Sequence, residues 1–163
     1  MPKQTFKILV AEDDKFQRLA LFDLLGMCGY DVVATENGKL AMDELRNEEN
    51  NNFDLILLDL YMPEMDGFEV LSIVMEDSKL KMIPVVIMSS TESNDIISSC
   101  LKQGALNFLV KPIRLQQCRS LVGFMKAYNN ATLANINSDE RGLSRFETLQ
   151  TLGQGANGIV FLV

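Results

Sequence analysis

Apolar stretches of this 163-residue chain end on residue types that can do chemistry. "FKILVA" runs into Glu12, Asp13 and Asp14, and "FDLILLD" closes on Asp59. "IPVVIMS" closes on Ser89, and "LNFLV" is followed by Lys111 and Pro112. Brought to one rim, these ends form an acidic cluster, a lone carboxylate, a hydroxyl and a cation. Carboxylates crowded together repel unless a cation joins them. Oxygen ligands without His or Cys favour a hard ion that keeps several waters, so Mg²⁺ is the natural choice. Asp59 is then available as a nucleophile toward a phosphoryl group, giving an aspartyl phosphate. Lys111 and the metal would neutralise the equatorial oxygens, which is most of what phosphoryl transfer requires. Taken singly, each residue has an ordinary explanation. Asp13 or Asp14 could cap a helix, Ser89 could be a loop hydroxyl, and Lys111 before Pro112 could be a solvated turn. Their joint appearance at strand ends makes the ordinary account improbable.

The rim requires a sheet. Phe6 to Ala11, Asp31 to Thr35, Phe53 to Asp59, Ile83 to Ser89 and Leu106 to Val110 are short, mostly continuous apolar runs, as expected of parallel strands buried on both faces. Helical spacing fills the gaps. Leu19, Phe22 and Leu25 to Met27 recur in the first stretch, which closes near Gly26 and Gly29. Asn37 is placed to cap the second helix, Gly67 precedes the third, and Ser93 or Asn94 starts the fourth. The fifth spans about Leu115 to Tyr128. Parallel strands need crossovers, so five strand–helix pairs predict a doubly wound α/β domain over 1–128, with chemistry at the carboxyl ends of the strands. The stretch "NNATLANINSDERGLS" then loses the apolar rhythm and reads as a linker over 129–144.

Composition narrows the class. A net charge of −7 argues against nonspecific nucleic-acid binding and is explained by solubility. No apolar run reaches about 18 residues, so no membrane span is expected. No signal-peptide pattern opens the chain. The three cysteines, Cys28, Cys100 and Cys118, are widely spaced and odd in number, which suggests reduced thiols and a cytoplasmic location. With no histidine present, His-based catalysis and the usual His/Cys metal sites are excluded.

From Lys7 to Tyr128 the sequence resembles the receiver domains of two-component response regulators. The resemblance rests on "ILVAEDD", "DLILLDLYMPEMDGFEVL", "PVVIMSS" and "GALNFLVKPI", in the family's order and at its distances. D-L-x-M-P-x-M-D-G, starting at Asp59, is a highly specific signature. The resemblance implies a flavodoxin-like (βα)5 fold with a five-stranded parallel sheet in the order 2-1-3-4-5. It makes Asp59 the phosphoacceptor and assigns Mg²⁺ to Glu12, Asp13, Asp59 and the Tyr61 carbonyl, leaving Asp14 just outside. Ser89 becomes the switch hydroxyl, Phe108 the aromatic switch and Lys111 the phosphate-contacting lysine, aimed by a cis bond to Pro112. Pro63 and Gly67 match the loop after the third strand, where glycine is expected to relieve backbone strain. The donor would be a histidine kinase or a histidine phosphotransfer protein. The output face, and a possible dimer contact, would be the fourth helix, fifth strand and fifth helix.

Departures from the family are few. Glu12 replaces the commoner Asp, and its longer arm is expected to reach the metal through water. Phe108 replaces the usual Tyr, so the turned-out ring lacks an anchoring hydroxyl. Ser90 stands where a small Ala is frequent. The stretch from Met88 to Arg114 is also similar to plant-type pseudo-receivers, which lack the acceptor aspartate present here as Asp59; a phosphorylation-independent interaction module is the alternative reading. A haloacid-type hydrolase would need an acid where Tyr61 stands. A flavodoxin-like cofactor binder would need glycines and backbone donors where the first loop carries acids.

The chain closes on "RFETLQTLGQGANGIVFLV", which looks like the first strands of a eukaryotic-type Ser/Thr protein kinase. Gly153, Gly155, Gly158 and Val160 match its nucleotide loop. The kinase's lysine-bearing strand, acidic helix and catalytic loop do not follow. The expectation is that 145–163 is the truncated start of a kinase domain regulated by the receiver, in a longer parent protein.

Overall fold

A computed structural model describes residues 5–137 and 159–160, with side chains placed for residues 5–131. Strands and helices alternate as β1 (Lys7–Ala11), α1 (Lys15–Met27), β2 (Asp31–Thr35), α2 (Gly38–Arg46), β3 (Leu55–Asp59), α3 (Gly67–Glu76), β4 (Val85–Ser89), α4 (Asn94–Gln103), β5 (Asn107–Val110) and α5 (Leu115–Asn137). A short 3-10 turn, Leu80–Met82, precedes β4. The first five strands are parallel, in the order β2-β1-β3-β4-β5. A sixth, β6 (Ile159–Val160), adds to the outer edge of β5 in antiparallel sense. That strand lies outside the five the sequence predicts, because its residues read as part of a separate domain.

Successive side chains on a strand point to opposite faces, so the sheet carries two cores. Leu9, Ile56, Leu58, Ile87 and Phe108 pack with α2, α3 and α4. Ile8, Val10, Leu57, Val86 and Leu109 pack with α1 and α5. All five residues of β3 and all five of β4 are buried, as central parallel strands must be. Fully burying a side chain such as Leu57 stabilises by about 1.5–3 kcal/mol, so the sheet is a stiff base for whatever stands on its rim.

Helix starts follow local chemistry. Asp14, Asn37 and Asp66 cap α1, α2 and α3 by accepting from Gln17 N, Leu40 N and Glu69 N. Ser93 takes the cap position of α4 without a side-chain bond. Two sequence expectations change. Helix α5 continues past Tyr128 to Asn137, into the stretch read as linker. Ala131 explains part of this, since it is still buried in the α1/α5 core. In α1 the buried residues are Leu21 and Leu25, an i, i+4 pair, whereas Leu19 and Phe22 lie exposed with Phe16 and Met27. The helix is apolar around more of its circumference than one core face needs. Among the described residues no helix is long and apolar enough to cross a membrane.

Candidate functional site

Strand register levels the chemical residues on one rim. Ala11 pairs with Leu58, Asp59 with Met88, and Ser89 with Val110, so Glu12, Asp59, Ser89 and Lys111 sit at adjoining strand ends. Glu12 is still tied to the sheet, its N–H donating to Thr35 O at 3.0 Å. Lys111 is tied to Ser89 in the same way, N–H to carbonyl, at 2.9 Å. The Lys111–Pro112 peptide is cis, as the family resemblance implies.

Glu12, Asp59 and Ser89 are buried, at 1%, 4% and 1% exposure, while Asp13 is exposed. The carboxylates of Glu12, Asp13 and Asp59 each present an oxygen within 4.8 Å of the others. Asp14 turns away: its Oδ1 accepts from Gln17 N at 2.9 Å, so the capping account applies to Asp14 and not to Asp13. The Lys111 ammonium lies 2.5 Å from Glu12 Oε2 and 3.2 Å from Asp59 Oδ1. It bridges the two buried acids. Glu12 Oε1 accepts from Asp14 N at 3.1 Å, so both oxygens of the longer acid are engaged within the protein.

Burial pushes the Asp59 carboxyl up to about 7, with the Glu12 charge adding to the rise and Lys111 opposing it. A cation held among these oxygens would favour the ionised form of Asp59. The donor set is entirely oxygen, and a lysine already stands in as counter-charge, so the residues fit a hard divalent ion such as Mg²⁺. Tyr61, two positions beyond Asp59, is exposed on the loop leading to α3.

Ser89 Oγ accepts from Thr91 N at 3.3 Å, linking the hydroxyl to the start of the β4–α4 loop. Phe108 is fully buried in the α2/α3/α4 core, opposite Ile87 on β4 and away from the rim itself. Gly67 has a different reason from the expected one. The positive backbone angle of this loop belongs to Glu64 (φ 67°). Gly67 is needed for close approach instead, because a Cβ there would lie 2.5 Å from Asp59 O and 2.8 Å from Leu60 Cα. Gly153, Gly155 and Gly158 lie outside the described residues; of the nucleotide-loop set only the Val160 backbone is described.

Sequence reasoning missed Arg18, whose guanidinium donates to the carbonyls of Glu12 at 2.9 Å and Asp13 at 3.3 Å and so braces the acidic turn. It also missed Thr91. Each bond uses a backbone atom, the carbonyls that accept from Arg18 and the N–H that Thr91 donates, and backbone atoms leave no mark on residue type. A cleft of about 450 Å³ adjoins the site, between Leu21 and Leu24 of α1 and Ile113, with Glu12 and Lys111 in its wall.

A flavodoxin-like (βα)5 sheet with buried acids and a lysine converging on its carboxyl rim defines the receiver class. The response regulator receiver domain pattern matches residues 8–123, and the chain belongs to that family. Over 121 residues it is 39% identical to the two-component response regulator-like protein APRR9 of Arabidopsis thaliana, covering 74% of this chain but 26% of that protein. It is 44% identical over 107 residues to the two-component response regulator ORR11 of Oryza sativa subsp. indica, covering 66% of this chain and 71% of the relative. Among solved structures, the chemotaxis protein CheY4 of Vibrio cholerae is similar at TM-score 0.66 and 26% identity, over 73% of this chain and 97% of that one. The Francisella response regulator 1452 receiver domain is similar at TM-score 0.67 and 30% identity, over 77% and 98%.

Proposed function

We propose that this domain accepts a phosphoryl group on Asp59 and converts it into a change of its α4–β5–α5 face. The observation that carries this is the Lys111 ammonium held between Glu12 and Asp59, beside a third carboxylate from Asp13. Glu12, Asp13, Asp59 and the Tyr61 carbonyl would hold Mg²⁺, and the bound ion would offset the charge gathering on the transferred group. An Asp59 oxygen attacks phosphorus, a new O–P bond forms, and the bond to the donor breaks. With a histidine kinase or phosphotransfer protein as donor, the leaving group is its imidazole, which takes a proton from solvent. This chain has no histidine of its own to supply the group.

Lys111 then shifts its ammonium from carboxylate to phosphoryl oxygen. Ser89 turns its hydroxyl toward the same group and draws the β4–α4 loop inward through Thr91. Phe108 moves into the space released, and a partner or second copy reads the altered face. The exposed Phe16, Leu19 and Phe22 lie on α1, the helix that follows the acidic turn, and suit an apolar docking face for the donor. The kinase-like tail supports a further reading, that the output is control of an attached Ser/Thr protein kinase. The test is mass measurement after incubation with acetyl phosphate and Mg²⁺. The wild-type chain should gain one phosphoryl group and Asp59→Asn none; an undiminished adduct in the variant would remove Asp59 from the role.

A further inference from the structure

Strand β5 ends the parallel sheet, and such an edge presents backbone donors and acceptors to any strand that can reach it. Its sequence, Asn-Phe-Leu-Val, carries neither the lysine nor the proline that commonly guards an edge, and Asn107, Phe108 and Leu109 are buried. The opposite edge differs: β2 begins on an exposed Asp31 and is only partly buried along most of its length. β6 pairs with β5 in antiparallel register, Phe108 opposite Val160 and Leu109 opposite Ile159. One residue earlier on β5, Asn107 Nδ2 is the one buried side-chain polar atom without a hydrogen-bond partner among the described residues. Its Oδ1 accepts from Phe108 N at 2.7 Å.

We propose that the β5 edge is an interaction surface for an antiparallel, β-branched strand, and that its occupant is the Ile159–Val160 segment of the same chain. Seated there, the segment bars other strands, including β5 of a second copy, from the α4–β5–α5 face. This consequence rests on the reading of that face as the output side. β-branched residues suit a pleated edge, and Ile159 and Val160 are both of that type. A two-residue strand exchanges few backbone hydrogen bonds, so the cover is displaceable. Val160 stands opposite the backbone of Phe108, the residue whose ring the proposed switch moves. Pairing and ring position therefore bias one another, and by linkage the bias runs equally both ways.

The test uses the full chain with no phosphoryl donor, so its failure is distinct from failure of Asp59 as acceptor. Neighbouring residues of an antiparallel pair alternate between bonded and non-bonded positions, so both are replaced, as Ile159→Pro with Val160→Pro. Gln154→Pro, which leaves Ile159 and Val160 unchanged, is the control. Hydrogen exchange at Asn107 to Val110 should quicken about tenfold in the double variant and stay unchanged in the control. Protection in the wild type should survive about a hundredfold dilution, as a contact within one chain must. Equal exchange in all three proteins would overturn the pairing. Protection lost on dilution would assign the edge to a strand from another copy and overturn the occupant proposed.

Discussion

Lys111 holds two buried carboxylates, those of Glu12 and Asp59, that would otherwise face each other without a counter-charge. The Asp59 carboxyl is raised from 3.8 to about 7, by burial first and then by Glu12. A carboxyl with a raised folded-state value binds its proton more tightly in the native than in the unfolded chain. Its contribution to stability is full below about pH 4, declines as pH rises, and is gone above about pH 7. In metal-free buffer, then, wild type should lose stability relative to Asp59→Asn between pH 4 and pH 7, by an amount on the order of a few kcal/mol. Urea midpoints for both proteins in chelator at several pH values measure the difference. Parallel curves would mean that the carboxyl is ionised throughout. Added Mg²⁺ should reduce the gap at pH 7, because the ion supplies the charge that Lys111 alone does not.

Elements deliver these residues, and the loop between β3 and α3 has the least freedom. Gly67 N donates to Leu60 O at 2.8 Å, which folds the loop back onto the strand end that carries Asp59. Any side chain at Gly67 meets backbone, which cannot yield as a flexible side chain would. Gly67→Ala should destabilise by about 1–3 kcal/mol in urea and slow Asp59 labelling by acetyl phosphate. A variant within about 0.5 kcal/mol of wild type would show that the loop gives way. This pattern explains which parts of the molecule were legible in the sequence. β2 begins and ends where the apolar run does, and the other parallel strands differ from their runs only at the start, because burial on both faces leaves a continuous signature. The acids, Ser89 and Lys111 were legible because each ends such a run. The reason for Gly67 was not, since close approach and positive φ select the same residue. Nor was the buried face of α1, where apolar residues surround the helix and periodicity cannot choose between Leu21 and Leu19. The length of α5 was hidden by a polar, Asn-rich stretch that helix continuity and Ala131 override.

Across the whole molecule, the switch proposed above would carry a change from the rim across the sheet to Phe108, which is buried among α2, α3 and α4. Moving a population from 1:99 to 99:1 requires about 5.5 kcal/mol of preference for one state. Hydrogen bonds to charged groups contribute about 1.5–3 kcal/mol each, so Lys111 and Ser89 contacts with a phosphoryl oxygen cover most of it. Ser89→Ala should leave the domain able to gain the acetyl phosphate adduct but incompletely switched, whereas removal of Lys111 should weaken both steps. Beryllofluoride, which mimics the aspartyl phosphate, separates an active receiver from an interaction module that ignores phosphorylation. With Mg²⁺ and ligand at about a hundred times its dissociation constant, linkage adds about 2.7 kcal/mol and raises the melting temperature by several degrees. Hydrogen exchange should change at the same time in α4 and β5. Both effects should vanish without Mg²⁺ and in Asp59→Asn. A melting shift without any change in α4 or β5 would mean that the rim binds but does not signal through this face. No shift at all would mean that the acids and Lys111 hold a receiver fold together without using its chemistry.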